Sequence, residues 1–322
     1  MNDSTKFSES DELKADDKQS DVKETPPSPV ISEAAITKEN KVIEVAETQP
    51  ISAKKVEMTP DDMHVPHLLF AKRCDLGALR ERNEDSCLAF TSDAGGHFKM
   101  PAFGLYIVAD GMGGHADGHV ASSVASRVAA RYILENMYLP LLHNSTSANQ
   151  VPIQEVLTNA VQEANTAVFE NDRDIDSGTT LTIALIFGRR LHVAHVGDSR
   201  LYLQAEDRFE AVTNDHSLVQ RLQDVGQLTP EEATMYRYRN VLLRAVGQGE
   251  EVEIDTYMKL LPKKGKLLLC SDGLCGLISD DIIREIMDKD LPLQKTADTL
   301  YDAAMMAGGY DNITAVVVDF VL

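Results

Sequence analysis

No stretch of this chain approaches the ~18–20 consecutive apolar residues that a membrane helix needs, although 43% of its 322 residues are hydrophobic. Met1 to Lys14 also lacks the apolar core of a secretory signal. The expectation is a soluble cytoplasmic protein with no membrane partner. Basic residues are scarce as well, 31 Lys and Arg against 51 Asp and Glu, for a formal charge of −20. Nucleic-acid binders carry a basic footprint where they meet phosphate, so no nucleic-acid partner is expected. Cysteine is sparse: Cys74, Cys87, Cys270 and Cys275 form no C-x-x-C pair, and Cys87 and Cys270 lie beside apolar runs. They read as reduced core thiols, not as a disulfide or a zinc site.

Residues 1–64 lack the makings of a core. Phe7 is their only aromatic, Thr25-Pro26-Pro27-Ser28-Pro29 interrupts them, and no amphipathic period is sustained. Such a segment cannot bury enough apolar surface to offset the entropy of ordering it. The reading is a disordered acidic tail over 1–64 and one globular domain over 65–322.

Within that domain the richest stretch is Gly104 to His119. Gly104 to Ala109 is a continuous apolar run of the kind that a strand buried on both faces needs. It stops at Asp110-Gly111-Met112-Gly113-Gly114-His115, and apolar residues then recur at helical spacing at Val120, Val124, Val128 and Tyr132. The pattern predicts strand, glycine turn and helix, with Asp110 at the strand end. Glycine beside it leaves the Gly111 carbonyl open to a ligand. The dinucleotide reading of Gly111 to Ala116 fails because no strand with a ribose-binding acid follows about 20 residues on. His115 and His119 share a helical face, but Ala116 stands where a zinc protease needs Glu.

Periodicity predicts strands at 69–74, 86–91, 180–187, 191–196, 200–204, 252–261, 266–270 and 313–320, and helices at about 116–137, 153–170, 279–289 and 293–307. The short links between 180 and 204 predict antiparallel hairpins. Residues 215–247 read as small helices and loops. The order suggests paired antiparallel sheets with a helical layer outside each. Carboxylates recur beside these strands: Glu84-Asp85, Asp110, Asp198, Asp272 and Asp311. Each alone is an ordinary turn residue. Gathered on one edge they would repel unless cations held them, and oxygen donors with few His or Cys partners select Mg²⁺ or Mn²⁺.

Arg80-Glu81-Arg82-Asn83-Glu84-Asp85, Asp110-Gly111-Met112-Gly113-Gly114-His115, Ser177-Gly178-Thr179-Thr180, Gly197-Asp198-Ser199-Arg200, Asp215-His216-Ser217, Ser271-Asp272-Gly273 and Gly309-Tyr310-Asp311-Asn312 stand in one order along the chain. Together they resemble the metal-dependent serine/threonine protein phosphatases of the PP2C (PPM) class, in its bacterial form, over nearly all of residues 67–322. The resemblance implies an α+β fold, a four-layer α/β/β/α sandwich of two mainly antiparallel sheets flanked by helices. It implies two Mn²⁺ or Mg²⁺ ions, with a third in bacterial relatives. Asp110 would bridge the pair, the Gly111 carbonyl would bind one ion, and Asp272 and Asp311 would complete the pair. Glu84 and Asp85 would support the site, and Asp198 with Asp272 would serve the third ion. Arg80 would hold the substrate phosphate, and 215–247 would form a flap.

Animal members place His directly after the Asp-Gly pair as general acid; here that position is Met112, which leaves His115 or a metal-associated water for the task. His216 reads as a loop-ordering group. The implied substrates are phosphoproteins, those of a Ser/Thr kinase, and the implied state is monomeric. Two other readings stand beside it: an inactive phosphoprotein-binding module of the same fold, and a phosphatase of small phosphoesters. Retention of Arg80, Asp110, Asp272 and Asp311 together argues against the inactive form.

Overall fold

The computed structural model describes residues 67–93, 100–113, 117–142, 151–171, 177–206 and 208–322. All of them belong to the compact unit Glu57–Leu322. The tail predicted over 1–64 lies outside the described residues.

Among the described residues, eleven strands and eight α-helices follow in the order β1 (His67–Asp75), β2 (Asp85–Ser92), β3 (Phe103–Gly113), α1 (Gly118–Ile133), α2 (Leu139–Leu142), α3 (Ile153–Asn171), β4 (Ser177–Thr179), β5 (Leu181–Phe187), β6 (Arg190–Val196), β7 (Arg200–Ala205), β8 (Arg208–Ala211), α4 (Leu218–Asp224), α5 (Pro230–Thr234), β9 (Asp255–Leu260), β10 (Lys264–Cys270), α6 (Asp272–Cys275), α7 (Asp280–Asp288), α8 (Leu293–Met306) and β11 (Ile313–Val321). A π-helical turn at Leu134–Tyr138 joins α1 to α2. The first sheet has the order β1-β11-β10-β7-β8 and the second β2-β3-β5-β6-β9, with β4 added to the end of β3; every pairing is antiparallel.

Period-2 alternation sorts the strand residues into layers. On β3, Leu105, Ile107 and Ala109 pack beneath α1 and α3, while Tyr106 and Val108 turn to the first sheet. On β11, Ala315 and Val317 pack beneath α7 and α8, while Val316, Val318 and Phe320 turn to the second sheet. Two sheets face each other with helices outside both, the four-layer α/β/β/α architecture that the motifs implied. Each fully buried Val, Leu or Phe in the middle layer contributes about 1.5–3 kcal/mol of transfer free energy. Among the described residues no helix is long and apolar enough to cross a membrane.

Three local expectations are corrected. The β5–β6 link is a hairpin, but β7 belongs to the other sheet, so Gly197-Asp198-Ser199 is a crossing between sheets. Gly197 takes φ +110°, and a Cβ there would lie 2.5 Å from Thr180 Cγ2, so the crossing needs glycine. Second, the predicted strand 252–261 narrows to β9. Third, β3 does not turn at Asp110. It runs on to Gly113 because β4 supplies partners for Gly111, Met112 and Gly113.

Gly111 is therefore required by close approach, not by turn freedom. A Cβ on it would lie 2.1 Å from the Gly118 carbonyl oxygen and 2.7 Å from that of Glu84. Gly111→Ala is expected to destabilise the domain by about 1–3 kcal/mol, the usual cost of overpacking. Gly249→Ala, whose nearest contact would be 3.6 Å away, should change little. Urea denaturation of both variants measures the difference.

Candidate metal centre

The carboxylates converge at one end of the sandwich because the strand registers bring them there. Asp85 stands directly opposite Asp110 across β2 and β3. Asp272 opens α6 directly after β10, Asp311 precedes β11, and Asp198 sits in the crossing between β6 and β7. The like charges press on one another. Burial first, then the charges of Asp85, Asp272 and Asp198, push the Asp110 carboxyl far above the ordinary carboxylate range. Burial and Asp272 do the same to Asp198, and burial and Asp311 raise Asp272.

Neutral donors hold the frame. The Asp110 carbonyl accepts from the Thr180 N–H (2.8 Å) and the Thr179 hydroxyl (2.9 Å), and the Asp110 N–H donates to Thr180 Oγ1 (2.8 Å). That is the work of the Ser177-Gly178-Thr179-Thr180 motif. Ser271 donates its hydroxyl to Asp85 Oδ2 (2.7 Å), while Asp85 Oδ1 is buried without a hydrogen-bond partner. Burial pushes the Asp85 carboxyl up to about 7. A buried carboxylate oxygen with no donor is costly unless a cation or proton meets it.

Arg80 and Glu84 are carried by the loop between β1 and β2. Asn312, 3% exposed, ties that loop down: its side chain accepts from the Glu84 N–H (2.8 Å) and donates to the carbonyls of Leu76 (3.1 Å) and Arg82 (3.0 Å). Arg80 reaches Asp311 at 2.8 Å and Glu84 at 3.5 Å. A Cβ built on Gly118 would lie 3.1 Å from both Glu84 Oε1 and the Gly111 carbonyl oxygen, so those two oxygens face one small space. Among the described residues no three His, Cys, Asp or Glu side chains close on a single point. Arg80 is drawn between Asp311 and Glu84. The donors are oxygens throughout, a hard set that fits Mn²⁺ or Mg²⁺.

A cleft of about 810 Å³ opens here, walled by Arg80, Asp198, Arg200, Asp272 and Asp311 on one side and by Val219, Gln223, Ala233 and Arg239 of the 215–247 segment on the other. Arg200 forks onto Asp215 (2.8 and 2.7 Å) and so pins the root of that segment. His216 accepts the Gly197 N–H on Nδ1 (3.2 Å) and meets Asp255 with Nε2 (3.3 Å). It orders the crossing that bears Asp198, as its place in the sequence suggested. His115, the candidate general acid, lies outside the described residues. The roles of Asn312, Ser271 and the Thr179–Thr180 pair were not read from sequence; their adjacency to Asp311, Asp272 and a glycine was the available signal.

The protein phosphatase 2C family model matches residues 81–222. The serine/threonine phosphatase Stp of Listeria innocua is 37% identical over 248 residues, 77% of this chain and 94% of that one. The serine/threonine protein phosphatase PstP of Mycobacterium tuberculosis is 37% identical over 259 residues, covering 79% of this chain and 45% of its own length. The crystal structure of the PstP catalytic domain in complex with two manganese ions aligns with a TM-score of 0.62 and 36% identity, over 79% of this chain and 99% of that one. This chain belongs to the protein phosphatase 2C family.

The raised carboxyls make a stability prediction. Their folded pKa values lie above the ordinary value of about 4, so the fold favours the protonated forms, and that stabilisation is lost as the pH rises through the folded values. For Asp85 the loss accrues from about 4 and is complete above about 7. Metal-free protein should therefore melt lower at pH 8 than at pH 6, Mn²⁺ should raise Tm more at pH 8, and Asp110→Asn should shrink both differences. Calorimetry at the two pH values tests this; a metal-free Tm that rises from pH 6 to pH 8 in parallel in wild type and variant contradicts it.

Proposed function

We propose that residues 65–322 hydrolyse phosphoserine and phosphothreonine in proteins, with two or three Mn²⁺ or Mg²⁺ ions held by Glu84, Asp85, Asp110, the Gly111 carbonyl, Asp198, Asp272 and Asp311. The observation that carries this reading is the convergence of carboxylates from both sheets beside a cleft that Arg80 enters. Similarity to PstP, whose catalytic domain is solved with two manganese ions, supports it.

Such ions supply a Lewis acid for the phosphate oxygens and lower the pKa of water. The protein's own groups bind and orient. The Arg80 side chain is 45% exposed and presents paired planar donors to phosphate oxygens, in exchange for its hold on Asp311. Thr179 and Thr180 clamp the Asp110 main chain and so hold its carboxyl at the strand end. Asn312 fixes the loop and with it the approach of Arg80. His115 is proposed as the proton donor to the departing seryl or threonyl oxygen. The substrates are proposed to be cytoplasmic phosphoproteins made by a Ser/Thr kinase, met by a monomeric enzyme whose 1–64 tail takes no part in the chemistry.

Hydrolysis of a phosphothreonine peptide with Mn²⁺ and with EDTA is the direct test. Asp110→Ala or Asp272→Ala should lower kcat by about 10³-fold or more, the scale of losing an electrostatic group at the transition state. Residual activity within about tenfold of wild type at saturating Mn²⁺ would place the chemistry elsewhere, since each tenfold is only about 1.4 kcal/mol of barrier. Arg80→Ala should raise KM more than it lowers kcat, because it removes substrate binding. An unchanged KM removes Arg80 from the phosphate site. A wild-type protein that binds the peptide without turnover would return the inactive-module reading.

A further inference from the structure

Cys74 and Cys87 bracket the loop that bears Arg80, Glu84 and Asp85, yet neither enters the chemistry above. On β1, Leu68 packs into the layer between the sheets and the Phe70 ring meets Tyr106 at 6.2 Å. Ala71 instead packs beneath the helices, and Arg73 lies 4.5 Å over the Tyr301 ring of α8. Even-numbered positions of β1 therefore face the second sheet, Cys74 among them. On β2, Cys87 and Ala89 face the first sheet while Leu88 and Phe90 face α1. β1 and β2 are edge strands of different sheets, so the two thiols point toward one another across the sandwich, at the end where the carboxylates gather. Cys87 shares its face of β2 with Asp85, two residues before it. Cys74 Sγ also accepts from Asn83 Nδ2 (3.3 Å) and lies 3.9 Å from the Asp85 carbonyl oxygen. Both thiols are free and half-buried.

We propose that Cys74 and Cys87 form an oxidisable dithiol, a modification site at which a peroxide makes an intramolecular disulfide that clasps the neck of the Arg80 loop and lowers activity. The Cys74 sulfur attacks a peroxide oxygen and becomes a sulfenic acid, and the other peroxide oxygen takes up the Cys74 thiol proton and leaves as water. The Cys87 sulfur then displaces the sulfenic hydroxyl, which takes up the Cys87 thiol proton and leaves as a second water, closing the S–S bond. Two thiols are oxidised by one two-electron peroxide, so atoms and electrons balance. Closure draws the sulfurs to about 2.05 Å. Asn83 accepts the Asp85 N–H on Oδ1 (3.0 Å) while its amide holds Cys74, so the movement is passed directly to Asp85. The other two cysteines do not compete: Cys270 and Cys275 are both buried, and the Cys275 thiol donates to the Ser271 carbonyl (3.4 Å). Disulfides that form in a reducing compartment are transient and sensing, which suits a half-buried pair on two edge strands.

The cross-link is read without reference to phosphatase activity; only its effect on turnover rests on the function proposed above. Full-length protein loaded with Mn²⁺ is treated with hydrogen peroxide, alkylated and digested without reductant. The expected product is a Cys74–Cys87 cross-linked peptide pair lighter by two hydrogens, with Cys270 and Cys275 still alkylated. Phosphopeptide hydrolysis should fall in step with the cross-link, recover with dithiothreitol, and resist peroxide in Cys87→Ser, which keeps its untreated activity. Cys74→Ser serves as the second variant should Cys87→Ser fold poorly. Separate sulfinic acids on the two cysteines, cross-links between molecules, or alkylation of all four thiols would overturn the site. Full turnover in quantitatively cross-linked protein would overturn its control of the enzyme.

Discussion

Asp85 and Asp110 are placed side by side by the β2–β3 ladder, on the same face of neighbouring strands, where like charges repel. The surrounding structure answers that one conflict. Ser271 gives Asp85 a hydroxyl proton. Thr179 and Thr180 leave the Asp110 backbone no freedom to retreat, and Arg80 is pulled inward by Asp311 and Glu84. An apolar domain of this size has no structural use for such a cluster. Binding of cations, as proposed above, would relieve that conflict.

The two sheets contribute different halves of the cluster. Asp85 and Asp110 ride on the second sheet, Asp272 and Asp311 on strand ends of the first, and Asp198 on the crossing between them. Spacing within the site is thus set by how the sheets pack through Tyr106, Leu267, Val316, Val318 and Phe320. Close packing resists small slides, because interiors are as dense as organic crystals. Residues far from the cleft therefore hold the geometry that the cleft uses.

Much of this was legible in the residues. Apolar runs such as Ile313–Val321 and Leu181–Phe187 announce buried strands, and the helical spacing from Val120 and from Ile153 announces α1 and α3. The carboxylates were legible because each stands beside a strand end. What the sequence withheld was pairing. The three-residue link before β7 has the length of a hairpin, and only a positive φ at Gly197 with its contact to Thr180 reveals a crossing. Asp110 read as a strand end because glycine usually breaks strands; β4, 64 or more residues downstream, extends the ladder past it. The thiol pair was invisible for the same reason: Cys74 and Cys87 are local in sequence, but their facing depends on two sheets stacked together.

The order of β11 in its sheet carries a consequence for biosynthesis. It is the last strand of the chain, yet it lies between β1 and β10, pairing His67 with Val321 at one end and Cys270 with Ala315 at the other. The first sheet is split until that strand inserts, and contacts of such sequence separation form late because loop closure must precede them. Asn312, which steadies the Arg80 loop, arrives with the same segment. A nascent chain that has not yet released residues 312–321 from the ribosome holds neither a complete sheet nor a complete site. Dephosphorylation by this enzyme can begin only after its synthesis has run past them.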